Sequence, residues 1–390
     1  MSLLAVGIAV SPILIGFYAY AGYPFILWTA SLVKRRRSSQ AEGHDWPSVT
    51  ITVPVYNAEN TIGQTLDCLL AVDYPRQKLQ VLVISDASTD GTDEIVRGLS
   101  SSGIELLRMP ERRGKTAAEN AAVSAARGDI LVNVDSSIQI PPYSLKKLVR
   151  VFDDPTIGVA SGRDVSVGGD RNETTHAESR YVGYEMWLRE LETRIGSIVG
   201  ASGCFYASRR SIHSKALAPG LSWDFAAALV ARLQGFRSVS VPEAVCLVGR
   251  SVQIRIEVTR KVRTMARGIS TLFHYRSLMN PFAYGSFAFM LISHKLLRWL
   301  PYFLAPFALI ALSFLALEAN EARVVLGLVT VGILIGTAGI RYGERTPPKP
   351  VAIAAFLVAI FSAGFLAWWE VLRQTPMATW EPTPRPRVQT

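Results

Sequence analysis

Two aspartates each follow an apolar run that is typical of a buried β-strand. LQVLVIS is followed by Asp86, and DILVNV is followed by Asp135. A carboxylate at a strand end can bind a ribose hydroxyl, a base nitrogen or a metal ion, and metal-bound phosphates favour hard oxygen ligands. A single Asp in such a place is usually a turn former. Two at equivalent strand ends indicate a site along the carboxyl edge of a parallel sheet.

A third aspartate, Asp224 in SWDF, stands at the predicted start of a helix. Two interpretations stay open for it. It can cap the helix, which is a common role for Asp at this position. It can also serve as a general base if it faces a substrate hydroxyl.

Basic residues supply the other candidates for chemistry. Arg260, Arg263 and Arg267 recur at helical spacing in RKVRTMARG. They either contact lipid headgroups or bind a departing diphosphate, whose oxygens match the planar guanidinium group. Lys115 in RRGKTAAEN either reaches a phosphate or is simply solvated.

The elements that must position these residues alternate between strand and helix. Periodicity from Ser48 to Phe152 predicts the order βαβαβαβ, which is a parallel sheet covered by helices. The following part is mixed. We predict an edge strand at IGVASGRDVSV, a helix from Glu178, a glycine-opened strand at GASGCFYASRR, a helix after Leu221 and a last strand at VSVPEAVCLVG.

Apolar residues gather at the two ends of the 390-residue chain, whose mean hydropathy is +0.24. Ser2 to Val33 has no charged residue and is long enough to cross a bilayer. The alternative, a cleaved signal peptide, would need a basic start and a shorter apolar run. The cluster Lys34–Arg37 places the following domain in the cytoplasm. Three more spans are predicted at Trp299–Leu317, Val324–Ile340 and Val351–Trp369.

The segment NPFAYGSFAFMLISHKLLRW before these spans is apolar on one face and basic at its end. We predict a helix lying in the membrane interface, and a fifth short span is the alternative. The resulting boundaries are an anchor at 1–33, a catalytic domain at 45–250, a basic segment with the interface helix at 251–298, three spans at 299–373 and a tail at 374–390. The chain is expected to be a multi-pass protein of the plasma or inner membrane, with its catalytic domain cytoplasmic.

The net charge of +10 fits either nucleic acid or an anionic membrane with a phosphate-bearing ligand. Most basic residues lie beside the predicted spans, so we expect membrane lipids as partners and no nucleic acid. Three cysteines, Cys68, Cys204 and Cys246, lack CxxC spacing. They are predicted to be reduced core residues.

Several motifs together resemble family 2 glycosyltransferases, the inverting group with the GT-A fold. They are PVYN at 54–57, SDASTDGT at 85–92, Asp135, Trp223-Asp224 and the run Arg260–Gly268. The layout is similar to the membrane-embedded cellulose-, hyaluronan- and poly-N-acetylglucosamine-synthase-like group. The resemblance implies an α/β domain with a mainly parallel mixed sheet, flanked by transmembrane helices.

The resemblance also implies roles for individual residues. Val55 and Asn57 would hold the base and ribose of a nucleotide, and Asp86 would bind uridine. Asp135 would hold a divalent cation, Mn²⁺ or Mg²⁺, on the sugar diphosphate. Asp224 would be the base that activates the acceptor. The remaining predicted substrate-binding residues are Lys115, Gly203, Arg260 and Arg263.

Two departures from the family pattern matter. Ser137 stands where a second acid is expected, and Thr264 stands where a tryptophan that packs under the acceptor sugar is expected. The second departure argues against long-chain polymerisation. We therefore expect transfer of a sugar from a nucleotide donor, UDP-linked by preference, to a lipid-linked or growing glycan acceptor.

Two other hypotheses stay open beside this one. The first is transfer to a polyprenyl phosphate. The second is a non-catalytic subunit that binds nucleotide sugar inside a polysaccharide synthase complex. A transporter is disfavoured because the predicted spans contain no charged residue.

Overall fold

A computed structural model describes residues 3–33, 45–167, 173–249, 254–341 and 348–374. The basic cluster at 34–37 and nearly all of the predicted tail lie outside the described residues. The described chain divides into two compact units. One, the helical unit, contains residues 3–26, 254–274 and 289–374. The other, the sheet unit, contains residues 27–249 and 275–288.

One mixed sheet forms the centre of the sheet unit. Its strand order is β3-β2-β1-β4-β7-β6-β8-β5. The first four strands in that order are parallel, and β7 is antiparallel to both of its neighbours. The strands are β1 Val49–Val55, β2 Leu79–Ser85, β3 Ile104–Arg108, β4 Ile130–Val134, β5 Ile138–Gln139, β6 Ile157–Val167, β7 Phe205–Arg209 and β8 Arg237–Gly249.

The central strands are buried on both faces, which explains their continuous apolar sequences. All seven residues of β1 are buried, as are all five of β4. Helices cover the sheet as predicted, because each carries an apolar stripe such as Ile62, Leu66 and Leu69. The described α-helices are α1 Leu3–Phe17, α2 Tyr23–Val33, α3 Ile62–Leu70, α4 Thr92–Gly98, α5 Lys115–Ala125, α6 Ser144–Arg150, α7 Glu173–Ile195, α8 Trp223–Leu233, α9 Ile254–His274, α10 Pro281–Tyr284, α11 Ser286–Leu291, α12 Leu297–Glu318, α13 Asn320–Ile340 and α14 Lys349–Leu372.

The prediction that IGVASGRDVSV is an edge strand is wrong. It forms β6, which lies between β7 and β8, and the edges are β3 and β5. Its first six residues are buried, whereas Arg163 and the residues after it are partly or fully exposed. The polar second half suggested an edge, but that polarity marks the end of the strand that reaches the candidate site.

Four helical stretches among the described residues are long and apolar enough to cross a membrane: Leu3–Val33, Ser286–Glu318, Asn320–Ile340 and Lys349–Leu372. Many of their large apolar side chains are exposed, including Leu14, Phe314 and Leu328. Exposed apolar surface of this kind is what a lipid-facing helix presents. The chain therefore has the features of a membrane protein.

The predicted interface helix is not a separate helix. Ser286–Glu318 runs continuously, because the π-helical turn Ile292–Leu296 joins α11 to α12. Lys295 and Arg298 consequently lie within a candidate span, contrary to the expectation that the spans are free of charge. Arg298 is 5% exposed, and its guanidinium carbon lies 4.9 Å from the ring centroid of Tyr20. An aromatic face of this kind stabilises a desolvated cation.

A second π-helical turn, Tyr18–Gly22, interrupts the first candidate span between α1 and α2. The Tyr18 hydroxyl lies 3.0 Å from the hydroxyl of Ser293 in the other π-helical turn. Each π turn widens the helix by one residue and redirects the side chains that follow it. The two turns thus bring polar groups of two apolar helices into contact.

Candidate active site

The sheet topology brings the two strand-end aspartates to one edge. β1 pairs with β2 on one side and with β4 on the other, all parallel. Asp86 follows β2 and Asp135 follows β4, so the two flank the carboxyl end of β1. The chain order reverses direction here, since β2 and β3 lie on one side of β1 and β4 lies on the other. This is the point of an open α/β sheet where ligands bind.

Asp86 organises a turn at this edge. Its carboxylate is fully buried and accepts hydrogen bonds from the backbone N–H groups of Arg113 and Gly114, both at 2.8 Å. Gly114 has φ +89°, a left-handed conformation that favours glycine. Asp86 therefore fixes the backbone that leads into α5.

Asn57 joins the loops that follow β1 and β2. It adopts φ +47°, and its side-chain amide exchanges hydrogen bonds with the backbone N–H and the hydroxyl of Thr89. The side chain of Val55 is buried, and its carbonyl accepts the N–H of Asp86 at 2.8 Å. A ligand at this edge would meet Val55 through the backbone and Asn57 through a pre-ordered loop.

Lys115, at the start of α5, connects the predicted metal residue to the other carboxylates. Its ammonium donates to Asp135 Oδ1 at 2.7 Å and lies 3.9 Å from Glu119 Oε1. Burial alone would lower the pKa of Lys115, but the carboxylates of Asp135, Glu119 and Asp224 outweigh burial and raise the pKa. Lys115 is therefore a permanent cation among three acids.

Asp224 is the second residue of α8, and Ser222 is the N-cap. The Ser222 hydroxyl donates to Asp224 Oδ1 at 2.7 Å. No capping hydrogen bond from the N-cap side chain is present at this helix end. The other oxygen, Oδ2, is directed at Gly203, where an added Cβ would lie 3.4 Å away. Asp224 thus faces the glycine-rich segment at 200–204.

This segment lies between Asp135 and Asp224. The Asp135 N–H donates to the carbonyl of Cys204 at 3.0 Å, which continues the β4–β7 pairing. Gly203 is exposed and lies against Asp224. The predicted metal residue Asp135, the predicted base Asp224 and the predicted substrate-binding residue Gly203 therefore lie in one neighbourhood.

The two predicted arginines lie in the helical unit. Arg260 and Arg263 are on α9, which also carries Gly268. Their contact with a diphosphate stays a prediction.

A divalent cation at Asp135 would need several oxygen ligands in addition to this carboxylate. No group of three or more His, Cys, Asp or Glu side chains in the described part of the chain is arranged to hold a metal ion. The Asp135 carboxylate is 23% exposed, and the Ser137 hydroxyl follows two residues later. Hard oxygens of this kind fit Mg²⁺ or Mn²⁺ that takes its remaining ligands from a diphosphate.

Two functional candidates escaped the sequence analysis. Glu119 is 2% exposed beneath Lys115, and its i,i+4 spacing from that lysine was the available signal. Asp164 accepts the Ser202 hydroxyl at 2.6 Å. Its only signal was a charged residue late in a strand, which also suits a solvated edge.

Comparison with known proteins defines the class to which this site belongs. Residues 50–217 match the model of the glycosyl transferase family 2. An N-acetylglucosaminyltransferase of Bradyrhizobium elkanii is 33% identical over 133 residues, which cover 33% of this chain and 71% of that protein. The chain therefore belongs to glycosyl transferase family 2.

A further relative and a solved structure are also similar to this chain. An N-acetylglucosaminyltransferase of Rhizobium sp. (strain N33) is 31% identical over 43% of this chain and 38% of that protein. This chain spans between 35% and 51% of the length of the first three curated relatives. The mannosyltransferase PcManGT from Pyrobaculum calidifontis, in complex with GDP-Man and Mn²⁺, superposes with a TM-score of 0.73. That likeness covers 96% of this chain and 100% of that one at 24% identity, and it shows the GT-A fold.

Proposed function

We propose that this protein is a membrane-bound inverting glycosyltransferase. It transfers one sugar from a nucleotide donor to a lipid-linked or growing glycan acceptor. The observation that carries the proposal is the cluster around Lys115. The Lys115 ammonium contacts Asp135, the residue proposed to bind the metal-bound diphosphate. The negative charge of Asp224, the proposed base, also raises the pKa of Lys115.

The residues divide the work of a single displacement between them. Asp224 accepts the proton of the acceptor hydroxyl as that oxygen attacks the anomeric carbon. Lys115 offsets negative charge that grows on the departing diphosphate. Attack in line with the leaving group inverts the anomeric centre. Arg260 and Arg263 are proposed to contact the same diphosphate.

We assign nucleotide recognition to the loops that follow β1 and β2, on the opposite side of the β1 end from Asp135. Asp86 and Asn57 set the backbone of the two loops that would enclose the base and ribose. Because the Asp86 carboxylate is buried, its contribution to uridine binding is made chiefly through the turn that it holds.

A divalent cation, bound by Asp135 and the diphosphate oxygens, would supply Lewis-acid stabilisation of the leaving group. The Mn²⁺ in the complex of PcManGT supports this assignment. The names of the rhizobial relatives make N-acetylglucosamine the first donor sugar to test, with a UDP carrier. GDP-mannose is the alternative that the PcManGT complex suggests.

The acceptor is proposed to be membrane-associated. Four candidate spans hold the catalytic domain at a bilayer, where a lipid-linked acceptor is concentrated. A polyprenyl phosphate is the second acceptor class to test. Its phosphate is already ionised, so transfer to it would need no base at Asp224.

The test is donor consumption in membranes that contain the full chain. UDP-N-acetylglucosamine, UDP-glucose and GDP-mannose are each supplied with Mn²⁺, with Mg²⁺ and with chelator, and with lipid extract as the acceptor source. We expect cation-dependent release of the nucleoside diphosphate from one donor, with membranes lacking the protein as the control. The proposal is overturned if none of the donors is consumed or bound under any of these conditions.

A further inference from the structure

We propose that Asp164 is a further substrate-binding residue, which accepts a hydrogen bond from a hydroxyl or amide group of the donor sugar. The inference rests on the function proposed above and extends it to the part of the donor that sets sugar specificity.

The first observation is the position of Asp164 on its strand. β6 and β8 pair in parallel, but Ser161 pairs with Ser240 while Arg163 pairs with Val245. Between these two pairs, β6 advances by two residues and β8 advances by five, so the register of the two strands shifts here. Such irregularities re-aim side chains and are frequent beside active sites.

Gly162 allows β6 to lie very close to Phe205 of β7 and Ala244 of β8. A Cβ at Gly162 would lie 2.5 Å from Cδ1 of Phe205 and 2.9 Å from the carbonyl of Ala244. Only a residue without a side chain fits between β7 and β8 here. The strand consequently delivers Asp164 to the carboxyl edge at a fixed position.

The second observation is how the carboxylate is held. Asp164 Oδ1 accepts the Ser202 hydroxyl at 2.6 Å and the Cys246 thiol at 3.3 Å. Burial, and then the Asp164 charge, raise the pKa of the Cys246 thiol, so the thiol stays protonated and remains a donor. Two donors on one oxygen fix the orientation of the carboxylate.

The second oxygen, Oδ2, accepts no hydrogen bond from the residues that the structure describes. Asp164 is partly exposed. A rigidly held carboxylate with one open oxygen is well suited to accept from a sugar hydroxyl, because little entropy is lost on binding.

The third observation is the neighbourhood. Ser202, which Asp164 holds, also accepts the N–H of Cys204 at 3.1 Å. Cys204 bonds to Asp135, and Gly203 lies against Asp224. Asp164 therefore borders the segment that separates the proposed diphosphate residue from the proposed base, which is where the transferred sugar must lie.

The test compares binding of nucleotide and nucleotide sugar by calorimetry on the full chain in detergent. The probes are UDP, GDP, UDP-N-acetylglucosamine, UDP-glucose and GDP-mannose. Asp164→Asn keeps an oxygen acceptor for Ser202 but replaces the open oxygen with an amide N–H₂. We expect the Kd of the preferred nucleotide sugar to rise about tenfold or more, and the Kd of its nucleoside diphosphate to change less than twofold.

Two further variants separate binding from positioning. Ser202→Ala removes the link to the segment but leaves the Asp164 carboxylate, and we expect it to raise the Kd of the nucleotide sugar less than threefold. Asp67→Asn, an exposed aspartate on α3, is the matched charge control and should change neither Kd.

An unchanged nucleotide-sugar Kd in Asp164→Asn overturns the inference, as does an equal loss for nucleotide and nucleotide sugar. A loss in Ser202→Ala as large as that in Asp164→Asn also overturns it, since it would assign Asp164 a positioning role only. If Asp164→Asn fails to fold, the inference is still testable. A tenfold rise in the nucleotide-sugar Kd of Ser202→Ala would overturn it without the other variant. Failure of the unmodified protein to bind any of the five probes would instead contradict the proposed function.

Discussion

At the scale of single residues, the site depends on acids whose surroundings differ. Asp86 is buried and bonded to two backbone N–H groups, whereas Asp135 is partly exposed and paired with Lys115. Asp224 keeps one oxygen on the Ser222 hydroxyl and the other beside Gly203. Similar carboxylates thus have different partners: Asp86 holds a backbone turn, Asp135 pairs with a cation and Asp224 lies against a glycine.

Asp86→Asn tests the loop-holding role. The new amide N–H₂ would face one of the two N–H donors and leave it unpaired in a buried place, which costs about 1–3 kcal/mol. We expect a lower thermal midpoint in detergent, measured by intrinsic fluorescence. Asp67→Asn should shift the midpoint little, because surface substitutions usually change stability by about 0.5 kcal/mol or less. Equal midpoints for Asp86→Asn and the unmodified protein would contradict this role.

His213 gives the sheet unit a pH dependence. Its ring stacks on Trp223 at a centroid distance of 4.9 Å, its Nε2 lies 2.8 Å from the Ser208 hydroxyl, and burial lowers its pKa to about 4. The unfolded histidine titrates near 6.5, so the unfolded state binds more protons between about pH 6.5 and 4. Stability is complete above about pH 6.5 and falls as the pH drops towards 4, by about 3 kcal/mol at most.

His213→Asn removes this titration while keeping a polar partner for Ser208. We expect the variant to be less stable at neutral pH, with a smaller loss of thermal midpoint between pH 7 and pH 4.5 than the unmodified protein shows. Parallel pH profiles for the two proteins would show that His213 is not responsible.

At the scale of elements, the parallel half of the sheet could be predicted from sequence. Its strands are short apolar runs that end at turn residues, and each following helix carries an apolar stripe, so local pattern and final structure agree. The pattern is less informative where contacts are between distant segments. β5 has only two residues, which is too short for a recognisable pattern. β6 was wrongly predicted to be an edge strand, because its polar end lies at the candidate site and is not simply solvated.

The candidate site was predictable only where a motif marks it. Asp86, Asp135 and Asp224 follow recognisable strand ends or a helix start. Asp164 and Glu119 depend on which segments the fold brings together, and no local spacing shows that Asp164 meets Ser202. The continuity of Ser286–Glu318 was missed because a π-helical turn accommodates the polar residues that seemed to end an interface helix.

Gly268→Ala tests the close packing of α9 in the helical unit. An added Cβ would lie 2.9 Å from Cη2 and 3.0 Å from Cζ2 of Trp299. Overpacking of this kind costs about 1–3 kcal/mol, and we expect a lower thermal midpoint in detergent. Gly327→Ala on α13 is the matched control, because no atom lies within 4 Å of its added Cβ. A midpoint for Gly268→Ala equal to that of Gly327→Ala would contradict the packing.

At the scale of the whole molecule, a GT-A fold is joined to helices that expose many large apolar side chains. Large side chains such as Leu3, Phe17, Leu317 and Leu334 are more than 60% exposed. Exposing so many large apolar side chains is unfavourable in water. These helices are therefore expected to lie in a bilayer.

A location in the bilayer predicts integral membrane behaviour. We expect the full chain to remain in the membrane pellet after washes with high salt and with alkaline carbonate, and to be released by detergent. A peripheral protein held by its charge of +10 would leave the membrane in salt, because screening weakens that attraction. Quantitative release by either wash would contradict the spanning helices.

The central claim, that Asp224 is the base of a glycosyl transfer, is tested most directly by Asp224→Asn. The measurement compares turnover and donor Kd of this variant with those of the unmodified protein, using the donor that the panel identifies. Loss of a general base should lower kcat by about 10²–10⁴-fold, while the donor Kd changes less than threefold. Unchanged turnover would contradict the assignment and favour a phosphate acceptor that needs no base.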